Sequence, residues 1–376
     1  MKQINSLLFI ITLLIFVSCN GNQQGNSNEN QSVKIGAVLP LTGGAAQYGA
    51  YFKQGSELAF ADAIEEGLIK DGQARLLIED GKGDATTSLS AFKKLVDTEK
   101  ISASLIDLSN VILAIKPEAN RNSIVSINSS SFSSEIEDAN DFMFSVLPNA
   151  KQYGEYIGDF CFNNLKYRTA GVIYRNDPMG VSFNSNFKGA FGKFGGNVVF
   201  EESHPVGETN FKTIIEKIRD KKVDMVLFAS YAPEIANFAK QCKETNCNVQ
   251  IVTYQGFLIK DSIAIAQDAA NGIIVIASSF DPASSDPKIA KLREQLKAKY
   301  NSDDLNYYTA AHYDGTRILL EAVASGAKSG NEIRDFIIKK KTFNGLTGQI
   351  TFDENGLAQI PLVPYKVENQ NFVLVK

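Results

Sequence analysis

Apolar runs of strand length alternate with amphipathic segments of helix length from residue 34 to residue 277. The runs Lys34 to Leu39, Arg75 to Glu79, Ile101 to Ile106, Ile124 to Ile127, Ala170 to Tyr174, Asn197 to Glu201, Val223 to Ala229, Gln250 to Thr253 and Ile273 to Ala277 read as strands. Most are unbroken Val, Ile, Leu and Phe, as strands covered on both faces should be. Between them, Tyr51 to Ile64, Thr87 to Thr98, Val111 to Arg121, Tyr153 to Asn164, Phe183 to Phe194, Phe211 to Arg219 and Glu234 to Lys243 carry apolar residues at helical spacing. Phe211, Ile214, Ile215 and Ile218 form one such stripe. This alternation predicts an α/β fold of doubly wound parallel sheets, with right-handed crossovers and ligand-binding loops at the C-terminal ends of the strands.

Two such blocks fit the length. One seam is predicted at Val146-Leu147-Pro148-Asn149, where a proline interrupts the alternation, and a weaker one at Ala277 to Pro282. Helices are then expected at Lys288 to Tyr300, Tyr308 to Ala324 and Asn331 to Lys340, followed by a hairpin within Gly348 to Gly356. No short-period internal repeat is visible.

The N-terminus departs from this pattern. Lys2 precedes an apolar run from Ile4 to Val17 that ends in Phe16-Val17-Ser18-Cys19. At about 14 residues the run is shorter than the roughly 20 a membrane-spanning helix needs, and it has the basic start and small-residue exit of a cleaved export leader. Residues 1–18 read as a lipoprotein signal with Cys19 as the lipidated first residue; an ordinary secretory leader with an incidental cysteine is the alternative. Residues 19–32 are then a tether: Asn20 to Ser32 is almost all Asn, Gln, Gly and Ser, with nothing apolar to bury. The expected location is outside the cytoplasm, anchored by lipid to a bacterial membrane.

Composition narrows the function. A net charge of −4 with interspersed signs leaves no basic patch for nucleic acid. Of the four cysteines, Cys161, Cys242 and Cys247 remain once Cys19 is set aside. Cys242 and Cys247 flank an expected helix end, at a spacing a turn closes, so a disulfide between them and three separate thiols are both open readings. Chemistry is scarce. There is no nucleophile elbow and no phosphate-binding glycine loop. His204 and His312 sit in no metal-ligand spacing, so neither a metal nor a cofactor is expected. His204 reads as a surface or capping residue and His312 as a hydrogen-bonded packing residue on a helix. The chain is not expected to be an enzyme.

One stretch is more specific: Ile35-Gly-Ala-Val-Leu-Pro-Leu-Thr-Gly-Gly, then Gln47-Tyr48-Gly49 and Gln54-Gly55. Further pieces follow in order: Glu79-Asp80 with Asp84, Lys93-Lys94-Leu95-Val96, Asn128-Ser129-Ser130-Ser131, Val223-Asp224, Tyr231 with Pro233-Glu234, and Tyr313-Asp314. Together they resemble the periplasmic solute-binding proteins of the branched-chain amino acid (Leu/Ile/Val) ABC transporter family. The resemblance implies two doubly wound lobes joined by a three-strand hinge, with residues 33–148 plus 279–345 in the first and 149–278 plus 346–376 in the second. It also implies an amino acid, amide or small organic acid as ligand, captured by hinge closure, and an ABC permease as partner. A sensory or regulatory module of the same fold is the alternative.

Ser109 and Asn110 open the helix running from Val111, and a hydroxyl with free N–H groups at a helix N-terminus suits an anion. The hydroxyls and N–H groups of Ser129 to Ser131 are expected to face the same cleft. By resemblance, Ser109 and the stretch Ser130, Ser131 and Phe132 take the ligand carboxylate and begin the side-chain pocket. Tyr48 and Tyr231 match aromatic positions on opposite lobes, and Tyr254 and Phe257 lie near the second-lobe loop that meets the ligand. The serines also suit a cap and a turn, and a tyrosine also suits core packing. Two positions depart from the family: Met179 stands where a tyrosine is common, and Gln255 where an acid commonly receives the ligand ammonium. Either the ligand lacks that ammonium, or Asp177 or Asp314 reaches in to replace the charge.

Overall fold

The structure is a computed structural model that describes residues 32–375. The leader, Cys19 and the tether up to residue 31 lie outside the described residues.

The first sheet is wholly parallel, built from β1 (Val33–Leu39), β2 (Ala74–Asp80), β3 (Ala103–Ile106), β4 (Val125–Asn128) and β5 (Met143–Ser145) in the order β2-β1-β3-β4-β5. Helices α1 (Ala46–Glu65), α2 (Ala85–Lys94) and α3 (Ser109–Arg121) make its crossovers. The chain then enters the second lobe through α4 (Ala150–Asp159), whose Asn149 and Gln152 form a reciprocal capping box. There β6 (Thr169–Arg175), α5 (Pro178–Lys193), β7 (Asn197–His204), α6 (Lys212–Lys221), β8 (Met225–Ala229), α7 (Ala232–Glu244), β9 (Gln250–Tyr254), α8 (Lys260–Ala266) and β10 (Ile274–Ser278) repeat the alternation. Every strand expected from the apolar runs is present, because a run buried on both faces has no other stable partner than a two-sided sheet.

After β10 the chain returns to the first lobe as α9 (Pro287–Tyr300), α10 (Tyr307–Ala324) and α11 (Gly330–Lys340). Helix α10 lies on α1 so closely that a Cβ on Gly55 would sit 2.2 Å from the Thr309 carbonyl oxygen. The hairpin is displaced from its expected place: β11 (Thr342–Gly345) and β12 (Gly348–Thr351) turn at Leu346-Thr347. Buried Asp314 fixes that turn, accepting from the Leu346 N–H at 2.7 Å, the Thr347 N–H at 2.9 Å and the Thr347 hydroxyl at 2.7 Å. Residues 346–358 stay with the first lobe. Phe352 packs edge-on against Phe144, and Ser145 exchanges hydrogen bonds with Gly356 and Ala358. The last crossing therefore lies beyond Ala358, not at residue 345 as expected. It leads to β13 (Leu362–Glu368) and β14 (Asn371–Leu374), which close the seven-stranded second sheet, β14-β13-β10-β9-β8-β6-β7, as an antiparallel edge.

Burial pushes the Asp314 carboxyl up to about 6. A folded value above the ordinary one of about 4 means this group's contribution is full below about pH 4 and is lost as pH rises through about 6. Between pH 7 and pH 5 the wild type should therefore gain about 1 kcal/mol relative to Asp314→Asn. Urea unfolding of both proteins at the two pH values checks this; a difference that does not change with pH counts against it.

Candidate solute site

The cavity lies where the C-terminal ends of the two parallel sheets face each other, the position ligands take in wound sheets. Tyr48, in the first turn of α1, can sit there because Gly49 lets that turn close on β1: a Cβ at Gly49 would lie 2.1 Å from the Pro40 carbonyl oxygen. The Tyr48 ring packs 5.4 Å from Tyr231 of the second lobe and 5.4 Å from Tyr308 of α10. Its hydroxyl lies 3.5 Å from the Gly256 carbonyl and 3.4 Å from the Ala232 N–H, so it spans the two lobes. Lys260 of the second lobe pairs with Asp303 of the first at 3.0 Å. The lobes are closed on each other.

The cavity, about 310 Å³ of empty space counted with its open side, is lined by Tyr48, Ser109, Ser130, Ser131, Phe132 and Tyr231, which the sequence singled out, and by Phe52, Leu108, Met179, Tyr254 and Tyr308. Phe132 meets Tyr254 edge-on at 5.0 Å, and the Tyr254 hydroxyl donates to Met179 Sδ at 3.0 Å. Burial raises the phenols of Tyr48, Tyr231, Tyr254 and Tyr308, which keeps them neutral. Leu108 and Tyr231 also border an outer, open chamber flanked by Lys82, Asp84 and Asn110 of one lobe and Arg175, Glu234 and Asn237 of the other.

The polar face is built from β3, β4 and α3. No side chain caps α3, so its first N–H groups are left for an outside acceptor. Ser109 Oγ and Ser131 Oγ are 2.6 Å apart. The backbone donors of the serine run are not free as expected: Ser130 N–H and Ser131 N–H both donate to Asn128 Oδ1, at 3.1 and 2.7 Å. Asn at the end of β4 has turned the run back on itself, an Asx turn.

Gln255 is buried, but it does not line the cavity. Its Oε1 accepts from Ser278 N–H at 2.8 Å, next to the crossing after β10, and its Nε2 has no protein partner. Neither candidate acid replaces it. Asp314 is held in the β11–β12 turn, and Asp177 both caps α5 through Gly180 N–H and binds Arg175 Nε at 2.6 Å. Arg175, which sequence reasoning missed, stacks its guanidinium 3.6 Å over the Tyr231 ring. Phe257 points away and packs on Phe372 at 6.3 Å. His204 is buried, not on the surface: β7 runs on to include it, and its ring lies among Phe211 and Phe228, with Nδ1 2.8 Å from the Pro205 carbonyl. Cys242 and Cys247 are buried free thiols in contact with each other, so the disulfide reading is not realised. Among the described residues no cluster of side chains suits a metal ion.

Two wound lobes closed on one small, aromatic-walled cavity define a solute-binding protein of the two-lobed type. A sequence profile for the periplasmic binding protein family matches residues 32–371, and the chain belongs to that family. It is similar to the Leu/Ile/Val-binding protein homolog 1 of Brucella abortus, 25% identical over 352 residues that cover 89% of this chain and 90% of the relative. Its fold matches the leucine-binding protein LivK of Thermotoga maritima, with a TM-score of 0.83 and 26% identity over 92% of this chain and 98% of that one. It also matches LivJ of Streptococcus pneumoniae in complex with isoleucine, with a TM-score of 0.82 and 24% identity over 92% and 99%. The chain is thus an extracytoplasmic solute-binding protein of the ABC-importer class, taking a small molecule in its inter-lobe cleft.

Proposed function

We propose that this chain serves its importer as a lipid-anchored receptor, fixed through Cys19, and that its solute is a monocarboxylate with an apolar body and no free ammonium. The observation that carries the reading is the charge inventory. No charged side chain lines the cavity: Arg175 is paired with Asp177 and Asp107 with His312, while Glu234 lies toward the outer chamber, where it accepts from the Gly207 N–H. Ser109, Ser131 and the free N–H groups of α3 suit a carboxylate, through charge-assisted hydrogen bonds. An ammonium at the other end would enter a closed, low-dielectric site with no counter-charge. Relatives named for leucine, isoleucine and valine agree with the carboxylate and the apolar body. Closure turns on the segments near Pro148, Ser278 to Phe280 and Ala358, and the closed form docks on a permease.

Mass spectrometry of the compound released from purified protein by mild denaturation tests the ligand class. A carboxylic acid without a basic nitrogen is the expected finding; a free amino acid overturns it.

A further inference from the structure

Beneath the cavity lies a polar network that solute capture, as described so far, does not use. His312, on α10, stacks on Phe52 with ring centroids 4.1 Å apart, and both its nitrogens are engaged. Nδ1 is 2.8 Å from the Tyr308 carbonyl oxygen and Nε2 is 2.8 Å from Asp107 Oδ1. The two side chains are each about 1% exposed. Ser130 Oγ approaches the same Asp107 oxygen at 2.8 Å.

Hydrogen-bond polarity through this network is forced. A carbonyl oxygen only accepts, so His312 Nδ1 carries its hydrogen. One proton then lies between Nε2 and Asp107 Oδ1, and on whichever atom it rests Oδ1 has none to give Ser130. Ser130 is therefore the donor. Its hydroxyl proton is spent inward and one lone pair faces the Leu108 N–H at 3.4 Å, so a single lone pair is all it can offer the cavity it lines. Ser109 and Ser131 differ: two hydroxyls sharing one hydrogen bond leave one proton for a carboxylate. Between Asp107 and Ser109, Leu108 is held at a φ of 68°, a left-handed conformation that a leucine adopts only where its surroundings impose it.

We infer that Ser130 reads an uncharged hydrogen-bond donor on the solute, a hydroxyl beside its carboxylate, with Asp107 and His312 as positioning residues that fix the direction of the Ser130 hydroxyl. The inference rests on the ammonium-free carboxylate reading above and narrows it to 2-hydroxy acids. An oxo oxygen opposite Ser130 sets acceptor against acceptor. An ammonium donates, but brings the charge for which the cavity has no partner.

Isothermal titration of the purified protein with two matched sets tests it: 2-hydroxy-4-methylpentanoate, 4-methyl-2-oxopentanoate and leucine, and mandelate, phenylglyoxylate and phenylglycine. The hydroxy acid should bind about tenfold more tightly than its oxo analogue in the set that fits the cavity. Ser130→Ala should erase that preference, leaving the hydroxy and oxo acids within about twofold of each other whatever happens to their common affinity. Asp107→Leu, which frees the Ser130 proton for the cavity, should shift the preference to the oxo acid. A purely packing role for the network would lower thermal stability without moving this ratio. Hydroxy acids that bind no better than oxo acids in both sets, or a preference that survives Ser130→Ala, overturn the inference. Tightest binding by leucine or phenylglycine overturns the ammonium-free reading itself, a result distinct from the first.

Discussion

Leucine should bind this protein at least about a hundredfold more weakly than 4-methyl-2-oxopentanoate, which differs from it chiefly in carrying an oxo group where leucine has its ammonium. Both share the carboxylate that Ser109, Ser131 and the start of α3 suit, and both share the branched body that Phe52, Phe132 and Tyr254 would enclose. The difference is the charge. Leaving one member of a buried charged pair without its partner costs about 3–5 kcal/mol. Arg175 and Asp177 are paired at the edge of the site, Glu234 lies toward the outer chamber and accepts from the Gly207 N–H, and Asp107, whose Oδ1 takes His312 and Ser130, sits beneath the cavity wall, so no carboxylate lines the cavity to meet an ammonium. Gln255 does not help, because its oxygen is held by Ser278 N–H and only its amide donor is left over. Gln255→Glu should therefore leave leucine binding weak and lower stability by about 3 kcal/mol, as an unpaired carboxylate is buried where Nε2 stood. Titration of both proteins with both compounds, and urea unfolding, measure the two effects. Leucine binding that tightens sharply in Gln255→Glu would mean that this side chain does reach the solute.

The position of Gln255 shows where reading the sequence stops. Strands such as Val223 to Ala229 and helices such as the Phe211 to Ile218 stripe declare themselves locally, because burial fixes their periodicity whatever lies elsewhere in the chain. Ser109 was legible as the residue opening a helix just past a strand end, whereas Tyr48 and Tyr231 were singled out only through the family resemblance. Partnerships between distant residues were not legible. Tyr308 reaches the cavity only because Gly55 lets α10 lie against α1, and the Asp107–His312 pair joins residues 205 apart in sequence. The backbone donors of Ser130 and Ser131 looked available until Asn128 was seen to take them. Strands β13 and β14 went unread because neither is a continuous apolar run: β13, paired on both sides, is interrupted by Pro364, Lys366 and Glu368, and β14, the sheet edge, is mostly exposed.

Cys19→Ala should move the protein from the membrane fraction to the soluble one and leave its solute affinity unchanged. The leader's apolar run is too short to span a bilayer, so lipid on Cys19 is the attachment its sequence supports. Buried acyl chains contribute about 0.8 kcal/mol per methylene, and stable anchoring takes more than one chain, so losing the acylated thiol removes essentially all of the membrane affinity. The folded lobes do not depend on that end. Strand β1 starts at Val33, whose N–H already pairs with the Gln73 carbonyl at 2.9 Å, and the cavity begins with Tyr48. Labelling with palmitate, fractionation after a detergent-free wash, and titration of the released variant separate these claims. Palmitate should label the wild type and not the variant, and the variant should match the unlipidated protein in solute affinity and unfolding temperature. A Cys19→Ala protein that still sediments with membranes after its leader is shown by mass to be gone would rule out the lipid as the anchor and point to a protein partner holding it there.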